Sequence, residues 1–109
     1  MNEINFIRSK IPDEELLCLI AEEAAELAQA ALKCHRAITG INPTPTTPGT
    51  AWLGLLEEIA DVQLCQTALC LSAESMRVIE QITAFKTKRW VERLEGSDRN
   101  AEEPREGNS

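Results

Sequence analysis

The sequence is poor in several residue types that particular kinds of site require. Its 109 residues include no Tyr, two Trp, two Phe and one His, which is His35. The four cysteines form no C-x-x-C pair, so the ligand spacing of a zinc site is missing. Cys18, Cys65 and Cys70 instead fall inside apolar helical runs. We therefore expect small buried hydrophobes in a reducing compartment, and the cytoplasm as the location.

Long apolar runs and an excess of positive charge are also missing. No run of about 18 apolar residues is present, so no membrane span is expected, and residues 2–10 do not resemble a signal peptide. The net charge of −7 has no basic stripe to offset it, which argues against binding to a nucleic-acid backbone. A free nucleotide stays open as a ligand, because its phosphates can be reached through a divalent cation.

Ala, Leu and Glu dominate what is present, and these residues favour helices. Apolar residues at helical spacing predict one short helix and three long ones. A proline- and threonine-rich stretch is predicted to be an extended loop. Gly40 is expected to cap the first long helix and Gly96 to end the last. The predicted segments are a helix over 2–10, a helix over 12–39, a loop over 41–50, a helix from 51 or 52 to between 72 and 75, a helix over 75–94, and a disordered acidic tail over 96–109.

The second long helix is apolar around most of its circumference, so it needs neighbours on several sides. Two chains that pool their helices would supply them. The sequence therefore predicts an all-α protein, an antiparallel helix bundle over residues 1–95 that is completed by homo-oligomerisation. The apolar residues concerned are Leu53, Leu55, Leu56, Ile59, Val62, Leu64, Leu69 and Leu71.

Two acidic motifs lie on separate helices: E-E-x-x-E at residues 22–26 and E-x-x-D at residues 58–61. Residues three apart share a helix face, and antiparallel helices can bring two such faces together. Four converging carboxylates would repel one another and raise each other's pKa unless a cation lay between them. Oxygen ligands without His or Cys favour Mg²⁺ or Mn²⁺, which share their coordination with phosphate oxygens. The motifs thus predict a metal site that handles phosphates.

Two other interpretations of the acidic motifs stay open. The carboxylates could line two solvated helix faces, as in many Glu-rich helices. A carboxylate-bridged di-iron site would need E-x-x-H motifs, and His35 belongs to none.

The same two motifs, with their flanks "EEAAELAQA" and "LLEEIADV", resemble the MazG-like all-α nucleoside triphosphate pyrophosphohydrolases, relatives of the dimeric dUTPases and dCTP pyrophosphatases. The resemblance covers residues 13–94. It implies hydrolysis of a (d)NTP to the monophosphate and pyrophosphate, in house-cleaning of the nucleotide pool by a homodimer or homotetramer. It also implies Mg²⁺ or Mn²⁺ ligands at Glu23, Glu26, Glu58 and Asp61.

The resemblance implies further roles outside the four ligands. Glu22 matches an additional catalytic glutamate, which would orient a ligand or help to deprotonate water. Lys86, Lys88 and Arg89 could neutralise the triphosphate, or form a solvated basic face near a helix end.

Other residues leave the function open. Trp52 and Trp90 could stack on a base, although packing is the more common role of such tryptophans. His35 is expected at a helix end or on the surface, and the loop over 41–50 could close over a nucleotide or simply join two helices. The alternative functions are a non-catalytic helical oligomerisation or interaction module, and an enzyme of the same fold that acts on another diphosphate.

Overall fold

The computed structural model describes the backbone of residues 2–102 and the side chains of residues 2–98. Within that range the chain forms four α-helices and no strand, which confirms the all-helical prediction. None of these helices combines the length and the apolarity needed to cross a membrane. The helices are α1 (Glu3–Lys10), α2 (Asp13–Thr39), α3 (Pro48–Leu69) and α4 (Ala73–Glu102).

Short polar side chains begin three of the helices. Asn2 accepts a hydrogen bond of 2.7 Å from the amide of Asn5 at the start of α1. Thr47 accepts one of 3.1 Å from the amide of Thr50 at the start of α3. Ser72 accepts one of 3.1 Å from the amide of Ser75 at the start of α4. These bonds satisfy amides that have no partner within the helix.

The structure corrects three predicted helix limits. The end of α3, predicted between residues 72 and 75, is at Leu69, because Cys70 turns left-handed. Pro48, Gly49 and Thr50, predicted to lie in the loop, form the first turn of α3, because Pro48 takes an early position where a missing N–H costs nothing. Gly96 does not end α4, which continues to Glu102. A glycine ends a helix when it turns left-handed, as Gly40 does with φ 67°, and Gly96 stays helical. Residues 103–109 of the predicted tail lie outside the described residues.

The cysteines only partly follow the prediction of burial. Cys34 is buried and Cys65 is half-buried, whereas Cys18 and Cys70 are exposed. Cys70 lies just after the last turn of α3 in a left-handed conformation, with φ 54°. Its apolar environment in the sequence therefore reflects the end of a helix, not a place in the core.

The helices divide between two compact units, which meet in the sequence at Leu71 and Ser72. In the first unit α2 packs on α3, and the shorter α1 also packs on α3. The guanidinium of Arg8 on α1 donates hydrogen bonds to the carbonyl oxygens of Ala68 and Leu69 at the end of α3. This contact holds α1 at the end of the α2–α3 pair.

The pair formed by α2 and α3 is antiparallel, as the residues that meet across it show. Glu23 and Glu26 meet Glu58 and Asp61, while residues nearer the end of α2 meet the beginning of α3. The four buried residues of the described core fall near the two ends of this pair: Leu16 and Ala68 at one end, Cys34 and Ala51 at the other. The acidic motifs occupy the middle.

The second unit contains α4. Every large apolar side chain of α4 among the described residues is exposed, and together they cover more than half of the circumference of the helix. They are Met76, Val78, Ile79, Ile82, Phe85, Trp90, Val91 and Leu94.

Candidate metal centre

Four carboxylates from two facing helices converge in the middle of the α2–α3 pair. Glu23 and Glu26 come from α2, and Glu58 and Asp61 come from α3. One carboxylate oxygen from each of the four lies within 4.8 Å of those of the other three. The structure thus brings together all four residues that the two motifs single out, and we call this set the carboxylate cluster.

Two members of the carboxylate cluster are withdrawn from water. Glu23 and Glu58 are half-buried, whereas Glu26 and Asp61 are exposed. The Oε2 atoms of Glu23 and Glu58 are buried and have no hydrogen-bond partner. Buried polar atoms are nearly always paired, so two unpaired oxygens in one cluster of carboxylates are unusual. Neither side chain belongs to a merely solvated helix face.

Burial and mutual repulsion shift the acidity of these two groups. The pKa of Glu23 is raised from 4.5 to about 7, first by burial and then by the nearby charges of Glu26, Asp61 and Glu58. The pKa of Glu58 is also raised, again first by burial and then by Glu26 and Asp61. Among the residues with described side chains, no basic group forms an ion pair with any of the four. The cluster therefore has negative charge that its own unit does not neutralise.

The donor set suits a hard divalent cation. Oxygens on opposite sides of a Mg²⁺ or Ca²⁺ ion are about 4–5 Å apart, since each lies about 2.0–2.6 Å from the ion. The four carboxylate oxygens span a similar distance, and the two unpaired oxygens are free to coordinate. No nitrogen or sulfur atom belongs to the set, which disfavours the softer transition metals.

Glu22 and Cys65 lie next to the carboxylate cluster, and they differ in their exposure to solvent. Glu22, predicted as an additional catalytic residue, is exposed and is not among the converging four; its Oε1 lies 3.8 Å from the sulfur of Cys18. Cys65, one turn after Asp61, is half-buried. Burial raises the pKa of its thiol, and the charges of Glu23 and Asp61 raise it further, so it stays protonated beside the cluster.

The basic residues predicted to bind phosphate lie on α4, in the second unit. Lys86 and Arg89 border one shallow surface of that helix together with Trp90 and Arg93. Lys88 is not part of this surface, because it lies about 160° around the helix from Lys86, beyond the width of one face. Arg93 was missed by the sequence interpretation, although its spacing of seven residues from Lys86 places it on the same face.

Three residues left open by the sequence lie on the surface. Trp52 and Trp90 are both more than half exposed, so neither packs in the core of its unit. His35 is exposed near the end of α2, as expected. In the loop after α2, Thr46 is half-buried, and it borders a groove that reaches Glu58.

Two further basic residues lie close to the carboxylate cluster and were not recognised in the sequence. Lys33 and Arg36 border a groove that also contains Glu26 and Glu58. Lys33 follows Glu26 by seven residues, which is two helical turns, and this spacing was the signal available in the sequence.

Comparison of the chain with protein-family models, curated proteins and solved structures found no match.

Proposed function

We propose that this protein is a Mg²⁺-dependent nucleoside triphosphate pyrophosphohydrolase of the MazG-like type, which converts a (d)NTP into the monophosphate and pyrophosphate. House-cleaning of the cytoplasmic nucleotide pool is the proposed physiological role. One observation carries the proposal: four carboxylates converge from facing helices, and two of them have buried oxygens without a partner. A solvated acidic surface would explain neither the burial nor the convergence.

The proposed chemistry assigns separate tasks to the residues of the first unit. Glu23, Glu26, Glu58 and Asp61 hold Mg²⁺ or Mn²⁺, which when bound neutralises phosphate charge and activates a water molecule. Glu22 is exposed and adjacent to Glu23, so in this proposal it accepts a proton through solvent. The half-buried position of Glu23 and Glu58 limits the access of bulk water to two of the four ligands.

A phosphate-binding role on α4 is proposed for Lys86 and Arg89. They share a surface with Trp90 and Arg93, so three cations are available on one side of the helix. Lys88 lies on a different side, and the proposal gives it no contact with the same phosphate group.

Pyrophosphate release from a panel of canonical and modified nucleoside triphosphates, with Mg²⁺ present, tests the proposal. We expect release from at least one nucleotide. Glu58→Gln and Asp61→Asn should abolish it, because each removes a ligand charge while keeping the shape of the side chain. Circular dichroism should show unchanged helix content in both variants.

The matched control is Glu14→Gln, an exposed carboxylate in the first turn of α2 and outside the carboxylate cluster. It should leave turnover as in the unmodified protein. If no nucleotide yields pyrophosphate, the non-catalytic helical module becomes the better explanation. Products from non-nucleotide diphosphates alone would favour an enzyme of the same fold with another substrate.

We also propose that the protein is a homo-oligomer. The exposed apolar side chains along α4 support this, and α2 and α3 add exposed Leu17, Leu32, Leu53 and Leu64. Exposed apolar side chains in this number are typical of a protein surface that binds a partner. Size-exclusion chromatography with light scattering should give a dimer or tetramer. A single species of 12.1 kDa would contradict this proposal.

A further inference from the structure

Two grooves on the surface of the first unit meet beside the carboxylate cluster. One contains Glu26, Glu58, Lys33 and Arg36. The other runs from Glu58 and Lys33 to the hydroxyl groups near the beginning of α3. Their volumes, about 590 and about 500 Å³, are in the range of small-molecule sites. Lys33 and Glu58 border both grooves. The two grooves therefore meet at a lysine and a member of the carboxylate cluster.

Lys33 has no acidic residue three or four positions away on α2. Its neighbours three and four residues away on α2 are Gln29, Ala30, Arg36 and Ala37. Arg36 repels it, and among the residues with described side chains Lys33 forms no ion pair. The position of Arg36 in the last turn of α2 is explained by the helix dipole, but Lys33 lies further inside the helix. Its charge is thus available to an anion in the groove.

The distance from Lys33 to the carboxylate cluster suits an anion that both could share. Seven residues of helix separate Glu26 from Lys33, which is about 10 Å along the axis. The flexible side chain of lysine can shorten this gap from its own side. A ligand with several phosphate groups is long enough to contact a cation at the cluster and Lys33 together, whereas a single phosphate is not.

The second groove offers room and hydroxyl groups beyond Lys33. Gly54 borders it, and a Cβ atom at that position would meet nothing within 4 Å, so the floor of the groove is open. Thr50 also borders it; its hydroxyl oxygen accepts a hydrogen bond of 3.0 Å from Thr47, which leaves its own hydrogen free to donate. The groove therefore has space and a donor for the part of a ligand that follows the phosphates.

We propose that Lys33, assisted by Arg36, binds the phosphate groups of the substrate that extend beyond the carboxylate cluster. This inference rests on the proposed function, since it takes the ligand of the cluster to be a polyphosphate. It adds a phosphate contact on α2, next to the cluster and in the same unit. It also makes Lys33 a determinant of substrate affinity and not of the chemical step.

Steady-state kinetics of pyrophosphate release, measured for Lys33→Gln, Lys33→Arg and the unmodified protein, test the inference. A hydrogen bond to a charged group contributes enough that its loss should raise KM at least about tenfold. The value of kcat should change less than about threefold. Lys33→Arg keeps the charge and should stay close to the unmodified protein. Lys10→Gln on α1, an exposed lysine far along the chain from both grooves, should change neither constant.

Calorimetric titration with inorganic tripolyphosphate and Mg²⁺ tests the role of Lys33 separately from the proposed nucleotide hydrolysis. Lys33→Gln should weaken tripolyphosphate binding about tenfold and leave binding of Mg²⁺ alone unchanged. If the unmodified protein hydrolyses nucleotides but Lys33→Gln matches it in KM and in tripolyphosphate affinity, the inference about Lys33 is wrong and the proposed function stands. If no nucleotide is hydrolysed, the titration still decides about Lys33, because equal affinities of the two proteins would overturn its role.

Discussion

Carboxylate oxygens of Glu23 on α2 and Glu58 on α3 lie within 4.8 Å of each other across the helix pair. Both residues are half-buried, and the Oε2 atom of each is buried without a hydrogen-bond partner. Like charges at this distance oppose the packing of α2 on α3. The helix pair must therefore be held together by contacts elsewhere along its length. In the absence of a cation, the carboxylate cluster is a source of instability that protonation or metal binding should relieve.

The first prediction concerns the pH dependence of stability without divalent cations. Because the pKa of Glu23 rises from 4.5 to about 7 on folding, the folded state binds this proton more tightly than the unfolded state. The stabilising effect of the protonation of Glu23 is complete below about pH 4.5 and is lost as the pH rises to about 7. The melting temperature of the unmodified protein minus that of Glu23→Gln, measured in EDTA, should fall over this interval. A difference that is constant or rises with pH would contradict the shifted pKa.

The second prediction is that Mg²⁺ or Mn²⁺ reverses this trend. A cation binds the deprotonated carboxylates, so its stabilising effect should grow as the pH rises through about 7. Thermal melts at pH 8 over a series of Mg²⁺ concentrations should show a rising midpoint for the unmodified protein. Glu58→Gln should lose most of the rise, and Glu14→Gln should keep it. Equal shifts in all three proteins would show that the ions act on surface charge in general.

The third prediction compares two consecutive leucines of α2. Leu16 is 2% exposed and Leu17 is 57% exposed, so the same truncation removes core packing at one position only. Leu16→Ala should lower the free energy of unfolding by about 2–5 kcal/mol. Leu17→Ala should lower it much less in the monomer. Urea denaturation of both variants measures the difference, and equal losses would mean that Leu17 is also covered, as it would be inside an oligomer.

Helical periodicity was enough to predict the helices and the convergence of Glu23, Glu26, Glu58 and Asp61. Residues three apart share a face whatever the rest of the fold is, and the short loop between α2 and α3 makes the pair antiparallel. The sequence also predicted Gly40 as a cap, because few other residues adopt a left-handed conformation without strain.

Properties that depend on the whole structure could not be predicted in this way. Glycine ends a helix only where the chain turns away, so Gly96 alone did not identify the end of α4. The grooves bordered by Lys33 depend on how closely the end of α2 packs on the beginning of α3, and the sequence does not reveal this distance. Lys88 was grouped with Lys86 because of the resemblance to a family with a basic helix, although residues two apart on a helix lie on different faces.

The fourth prediction concerns the contact that joins α1 to α3. Arg8 donates hydrogen bonds of 2.6 and 2.9 Å to the carbonyls of Ala68 and Leu69, and its positive charge lies at the negative end of the α3 dipole. Arg8→Ala should lower the free energy of unfolding by about 1.5–3 kcal/mol, as expected for hydrogen bonds to a charged donor. Lys10→Ala, which removes an exposed cation 5.8 Å from the ring of Phe6, should cost less than about 1 kcal/mol. Hydrogen exchange should also be faster in α1 of the Arg8 variant only.

The last prediction uses two glycines that differ in backbone conformation and not in available space. A Cβ atom at Gly40 or at Gly54 would meet nothing within 4 Å, so neither substitution creates a clash. Gly54 is inside α3, where alanine is favoured by about 0.5–1 kcal/mol, and Gly54→Ala should stabilise the protein by about that amount. Gly40 has φ 67°, where a side chain costs about 1–2 kcal/mol, so Gly40→Ala should destabilise it. Denaturation midpoints that move in opposite directions with equal m values would confirm that Gly40 ends α2 through its left-handed conformation. Midpoints that shift in the same direction would show that α2 can end without a glycine at this position.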